Sequence, residues 1–174
     1  MRTVYLWRHA KSDWAEAGLK DHERPLSERG KKAAPLMAAY LKAKKYRPDL
    51  ILCSTARRTV ETYDALNEVL AGSLTVRFED GIYLAEPRHL MDRLRWLEDA
   101  VKSVMIIGHN PGVAQLASQL AHAAKNGEEE KTHKRMREKF STGALAVIKL
   151  PIKAWADLKD GQGRLADFMR PKDL

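Results

Sequence analysis

The chain has 174 residues, 44% of them hydrophobic and 31% charged, which is the size of one ordinary domain with enough apolar mass for a good core. Its 31 Lys+Arg against 23 Asp+Glu give a formal charge of +8, a surplus that suits anionic partners as well as simple solubility. Cys53 is the single cysteine, which excludes an intramolecular disulfide and suits a reducing compartment; no linker, repeat or low-complexity tract divides the chain, so one domain over residues 1–174 is expected.

The opening run MRTVYLWRHA is too short for a signal peptide and is broken by Arg8; it reads as a strand over Thr3–Trp7. A helical pattern follows over Ser27–Lys45, with Ser27 as its cap and Pro35 predicting a kink or a later start. Next come a strand at Leu50–Cys53 and a helix at Ala56–Leu70, capped by Ser54 or Thr55. A strand at Leu74–Phe78 and a helix at Pro87–Ala100 follow, then a strand at Val104–Ile107 and a helix at Pro111–Ala124, with Asn110 as N-cap and Pro111 in the first turn.

The window Ser103–Ala124 contains no Asp, Glu, Lys or Arg and is long enough to span a bilayer. His109, Asn110, Pro111 and Gly112 near its start, then Gln115, Gln119 and His122, make it a strand, a turn and a helix instead. Lys125–Lys139, KNGEEEKTHKRMREK, reads as a solvated loop or helix face. The last strands are Ala144–Leu150 and, more weakly, Arg164–Phe168. This β-α-β-α order predicts a three-layer α/β/α sandwich around a mainly parallel sheet; the single cysteine, the short N-terminal apolar run and the polar residues of the 103–124 window lead to the expectation of a soluble, cytoplasmic protein with no membrane partner.

In such sheets ligands bind beyond the carboxyl ends of the strands. There the first strand delivers Arg8 and His9, the second delivers Ser54, Arg57 and Arg58, and the fourth delivers His109 between Gly108 and Gly112. Arginine forks and a helix N-terminus suit phosphate oxygens, and the glycines permit a tight turn and close approach of a ligand. A histidine among cations stays unprotonated, so it can attack phosphorus while the arginines hold the oxygens and water later cleaves the phosphohistidine.

In order along the chain, LWRHAKSDW, RPLSERG, LILCSTARRTVET, VMIIGHNPG and STGALAVIKL resemble the landmarks of the histidine phosphatase superfamily. The short chain and the RHAKS form resemble its phosphohistidine phosphatase SixA branch. The resemblance implies a phosphoglycerate mutase-like fold and a phosphoryl hydrolase with no metal and no cofactor. It implies His9 as the nucleophile, Arg8 as its neighbouring clamp, and Arg58 as the second clamp, with Thr62 four residues on and Arg57 as the competing assignment. It further implies His109 as the second pocket histidine and Arg24 as a further phosphate-side arginine. The implied partner is a phosphorylated substrate, such as a phosphohistidine-bearing phosphotransfer protein. Small phosphomonoesters, or phosphate binding without turnover, are the alternatives.

Two departures carry information. The usual RHG is RHA here, so Ala10 requires ordinary backbone angles, which points away from the sugar-phosphate mutases. The acidic motif that supplies a general acid in those enzymes has no counterpart; Glu79, Asp80 and Glu86 in FEDGIYLAEP read as surface turn carboxylates. A missing acid fits a phosphoramidate substrate, whose leaving nitrogen can already carry a proton.

Other features read as structural. His22, His89, His122 and His133 lack metal-ligand spacing, so no metal is expected. Trp7, Trp14, Trp96 and Trp155 are core or rim aromatics, and Lys11, Ser12 and Asp13 line the pocket mouth. A cysteine-dependent phosphatase needs five residues between Cys and Arg; Arg58 falls one short, so Cys53 reads as a packed apolar residue. No recognition helix or aromatic series supports nucleic-acid binding.

Overall fold

The computed structural model describes residues 1–124 and 127–174. The strands are β1 (Arg2–Arg8), β2 (Leu50–Ser54), β3 (Val76–Glu79), β4 (Ser103–Gly108), β5 (Leu145–Leu150) and β6 (Arg164–Met169). They form one sheet in the order β3-β2-β4-β1-β5-β6. β3, β2, β4 and β1 run parallel, whereas β5 is antiparallel to β1 and β6 antiparallel to β5. The expected mainly parallel sheet is thus mixed at one side.

The central strands are buried on both faces because their alternate residues feed two separate cores. Val4 and Leu6 of β1 and Val104 and Ile106 of β4 join one cluster; Tyr5, Trp7, Met105 and Ile107 join the other. Helices α1 (Glu28–Ala43) and α2 (Arg57–Val69) cover the second face through Met37, Leu41, Tyr63 and Leu66. Helices α3 (Pro87–Arg95), α4 (Gly112–Leu120) and α5 (Gly127–Glu138) cover the first through Leu90, Leu94, Val113, Leu116 and Met136. The charge run after residue 124 is therefore a helix face over its described part, with His133 and Met136 turned inward; Lys125 and Asn126 lie outside the described residues.

Several helix ends differ from expectation, each for a local reason. Ser27 caps α1 through its Oγ, which accepts from the Gly30 amide at 3.1 Å. Pro35 leaves α1 unbroken: Pro35 and Lys31, whose carbonyl loses its helical donor, both face solvent. The residue before α2 is Ala56, which has no capping side chain; Ser54 instead accepts from the Ala56 amide at 3.2 Å. Before α4 Pro111 stands in the cap position, the Asn110–Pro111 bond is cis, and Asn110 donates to the Phe140 carbonyl at 2.9 Å.

α3 stops at Arg95, and beyond it the Asp99 and Val101 carbonyls accept from Arg2 at 2.9 and 3.1 Å. α4 stops at Leu120, where Ala121 bridges to Gly163 and the His122 amide donates to Gly163 at 2.7 Å. Among the described residues no helix is long and apolar enough to cross a membrane.

Candidate active site

β1 hands the chain to α1 on one face of the sheet, and β4 hands it to α4 on the other. The two strands are neighbours with Arg8 opposite Gly108, so a crevice opens between their carboxyl ends. The ladder runs one residue further, the His9 amide donating to the Gly108 carbonyl at 3.1 Å. From the other side the Gly143 amide donates to the carbonyls of Arg8 and His9 at 3.1 and 2.9 Å. Gly143 has φ +77°, and a Cβ there would lie 2.6 Å from Pro171, so the close approach requires glycine. Thr62 of α2 completes the fixation: its Oγ1 accepts from the Ala10 amide at 3.1 Å and donates to the Arg58 carbonyl at 2.7 Å.

Within this frame His9 has a defined tautomer. Its Nδ1 lies 2.7 Å from the Ala10 carbonyl, which can only accept, so Nδ1 carries the proton and Nε2 the lone pair. Burial, opposed by the Ala10 hydrogen bond and aided by Arg58 and Arg8, pushes the His9 pKa down to about 4. His109 has the opposite tautomer. Its Nδ1 accepts from Arg58 at 3.2 Å, and its Nε2 donates to Ser54 Oγ at 2.8 Å. Burial first, then His9 and Arg58, lower its pKa to about 3. The rings lie 5.2 Å apart, both neutral at ordinary pH.

Arg58 is only 4% exposed, whereas Arg57 lies in solvent and pairs with Glu61 at 2.9 Å. The structure therefore brings Arg58, not Arg57, to the two histidines. Arg8 donates through Nη1 to the Phe140 carbonyl at 2.9 Å, and its buried Nε has no partner among the described residues. Burial and the nearby Arg58 both lower the Arg8 pKa.

Arg24 joins the cluster at one remove: its three nitrogens are engaged by the Asp13 carbonyl, Asp21 and Ser12 at 3.0, 3.0 and 2.9 Å. Its guanidinium also lies over the Trp14 ring. Of the residues expected at the mouth, Lys11 is exposed, Asp13 is half-buried and Ser12 is buried against Arg24.

Asp21 went unnoticed in the sequence. It sits on a single 3-10 turn, Asp21–Glu23, and links both inner arginines. Its carboxylate meets Arg58 and Arg24 at 3.0 Å each and accepts from the Tyr83 hydroxyl at 2.5 Å, while its carbonyl accepts from Arg58 at 2.7 Å. Tyr83 and Arg58 hold its pKa below the usual carboxylate range. Beside it, His22 donates to Thr55 at 2.8 Å, and Thr55 donates to Asp80 at 2.6 Å. The only sequence signal for Asp21 is its place three residues before Arg24, a spacing too common to single out.

The remaining candidates have structural partners. Glu79 pairs with Arg93 at 2.7 Å, Asp80 and Glu86 are exposed, and Cys53 is fully buried with its thiol pKa pushed up by burial. Gly112 serves protein packing rather than a ligand, since a Cβ there would lie 2.0 Å from the Ala85 carbonyl. Trp7 and Trp155 are buried; Trp14 and Trp96 are exposed.

A cation-lined crevice holding two neutral histidines at the end of a parallel strand has the charge and the donors that suit a phosphoryl group. Residues 4–83 match the histidine phosphatase superfamily (branch 1). The chain is 32% identical to a provisionally named phosphohistidine phosphatase SixA from Agrobacterium tumefaciens, whose structure superposes with a TM-score of 0.80 over 98% of each chain. A second structure bearing that provisional name, from Nakamurella multipartitia, is 26% identical with a TM-score of 0.82 over 98% of this chain and 96% of that one. An uncharacterized protein of Mycobacterium tuberculosis is 33% identical over 95% of this chain and 99% of its own length. The chain belongs to the histidine phosphatase superfamily, a class of phosphatases, with the phosphoglycerate mutase-like fold. Its likeness within that class is to the SixA type.

Proposed function

We propose that the chain hydrolyses phosphohistidine on a protein through a covalent intermediate at His9. One observation carries this reading: His9 Nδ1–H is fixed on the Ala10 carbonyl while Nε2 makes no hydrogen bond among the described residues. That nitrogen keeps its lone pair from neutral pH down to about pH 4, where the imidazole protonates.

In the first step His9 Nε2 attacks phosphorus, the P–Nε2 bond forms, and the bond to the leaving nitrogen breaks. Arg8, through its unpaired Nε, and Arg58 hold the phosphoryl oxygens as charge spreads over them. These two cations meet that charge, so the reading requires no metal ion. His109, whose Nδ1 accepts from Arg58 at 3.2 Å, orients that guanidinium beside the phosphoryl group. Arg24 acts through Asp21, steadying the carboxylate that holds Arg58. In the second step water attacks the phosphohistidine, orthophosphate leaves, and neutral His9 is restored.

The leaving group favours a nitrogen substrate. Asp21 is held ionised by Tyr83 and the arginines, so it has no proton to give at neutral pH. A phosphorylated imidazolium departs as a neutral imidazole without needing one, whereas an alkyl ester needs an acid. The reading takes residues 1–174 as one domain acting in the cytoplasm, in keeping with a single, buried cysteine.

The test compares wild type and His9→Ala on a phosphohistidine-bearing protein and on alkyl phosphate esters. Wild type should turn over the phosphoprotein far faster than the esters and yield an acid-labile, alkali-stable phosphoenzyme; His9→Ala should give neither. Retained activity in His9→Ala would remove the nucleophile assignment, and equal rates on both substrates would remove the substrate assignment.

A further inference from the structure

Lys11, Arg29, Lys139 and Lys172 line one cavity of about 110 Å3, together with Ser141 and Thr142. They come from four places: the turn after His9, the first turn of α1, the residue after α5 and the C-terminal turn Pro171–Asp173. No acid lines the cavity, and none of the four forms an ion pair among the described residues.

The acids nearest to them in sequence are committed elsewhere. Asp13 accepts from the Ala15 amide at 2.8 Å, and Glu28 pairs with Lys31 at 2.8 Å. Glu138 pairs with Lys134 at 3.9 Å, and Asp173 with Arg135 and Arg170 at 2.6 and 2.7 Å. Four like charges around one cavity repel each other, and an anion seated among them relieves that repulsion.

The cavity lining is tied to the backbone of Arg8 and His9. Lys11 is two residues from His9, and Thr142 precedes Gly143, whose amide holds the carbonyls of Arg8 and His9 at 3.1 and 2.9 Å. The wall of one site and the floor of the other therefore share backbone. The volume suits a single carboxylate or phosphate group. Three observations favour a protein occupant: the four cations are exposed, they come from separate segments, and Trp14 stands three residues from Lys11 with 75% of its surface free. A folded acidic surface can meet both the charges and the indole.

We infer that this cleft is an anion subsite for a carboxylate flanking the phosphorylated side chain of a protein substrate, an assignment that rests on reading the His9 pocket as the phosphatase centre. Docking there brings the phosphoryl group to His9 and sets KM rather than kcat.

The test uses Lys139→Glu/Lys172→Glu, with Lys139→Ala/Lys172→Ala as the milder form; thermal unfolding midpoints identify any loss of fold. Two phosphohistidine peptides, one with acidic and one with neutral flanks, serve as substrates, and an unphosphorylated acidic peptide serves as a binding probe followed by titration calorimetry. Wild type should have the lower KM for the acidic peptide. The Glu variant should raise that KM on the order of tenfold, leave kcat unchanged on both peptides and weaken the probe similarly. Equal KM values for the two peptides in wild type, or an acidic preference that survives in a folded Glu variant, would overturn the subsite. If wild type turns over neither peptide, the His9 reading fails, while binding of the probe still decides the cleft by itself. If the Glu variant loses only turnover of a small bisphosphorylated compound, the occupant is a second phosphate and the protein assignment falls.

Discussion

At position 58 the chain turns a guanidinium inward, while its neighbour at 57 stays in water. Adjacent helical residues differ in direction by about 100°, so only one arginine can share the face of Thr62 and Leu66. Arg58 is on that stripe at spacings of four and eight, and both Thr62 and Leu66 are buried. Arg58→Ala should lower kcat/KM on the order of 100-fold or more, the scale of losing a preorganised donor to transition-state charge. Arg57→Ala should leave kcat/KM near wild type and stability within about 0.5 kcal/mol, since Arg57 pairs with Glu61 at the exposed surface. Steady-state kinetics on the two variants decide the assignment, and the reverse ranking would exchange the two arginines. The dipeptide alone leaves both candidates open; the helical stripe separates them once α2 is phased. Asp21 is a harder case, because its importance comes from Arg24, Arg58 and Tyr83 meeting in space and from no pattern along the chain.

At the scale of elements, the parallel strands and their helices are legible because apolar runs and 3.6-residue periods survive in the sequence. Their polarity is not. β5 is as apolar as β4, and nothing in LAVIKL reports that it runs antiparallel to β1. Helix ends are legible only where the cap is a side chain, as at Ser27. The segments after α3 and α4 are held instead by Arg2 and Gly163, which are distant in sequence.

One hydroxyl, Thr62 Oγ1, ties the segment after β1 to α2 by serving the Ala10 amide and the Arg58 carbonyl. Thr62→Val keeps the shape and leaves the buried Ala10 N–H without its acceptor. It should destabilise the protein by about 1–3 kcal/mol and lower kcat by loosening His9 and Arg58 together. Urea unfolding measures the first effect, and kinetics on the folded variant the second. Unchanged stability would show that the hydroxyl holds nothing.

For the whole molecule, three buried imidazoles couple folding to pH, His9 and His109 most strongly and His133 in the same direction. His9 and His109 titrate at about 4 and about 3 in the fold, against 6.5 in an open chain. As pH falls through 6.5 the unfolded chain binds protons that the native state refuses, so stability is full above that pH and declines toward 4. Between pH 7 and 5 the loss should be on the order of 2 kcal/mol for each of His9 and His109. Depressed carboxylates such as Asp21 act in a separate, more acidic window, as pH falls below the ordinary carboxylate range. Urea midpoints at several pH values test this, and His109→Asn should flatten the decline; a midpoint constant from pH 7 to 5 would contradict the burial of both rings.

The seam at Gly143 also bears on biosynthesis. The backbone of His9 is gripped by an amide 134 positions later in the chain, and Arg8 by a carbonyl at Phe140. At ribosomal speeds of about 5–20 residues per second, the imidazole waits on the order of ten seconds for its walls to emerge. A nascent chain thus carries its reactive nitrogen without the surroundings that give it power. The crevice around His9 comes into being only once the segment from Phe140 to Gly143 has been made and folds back over Arg8 and His9.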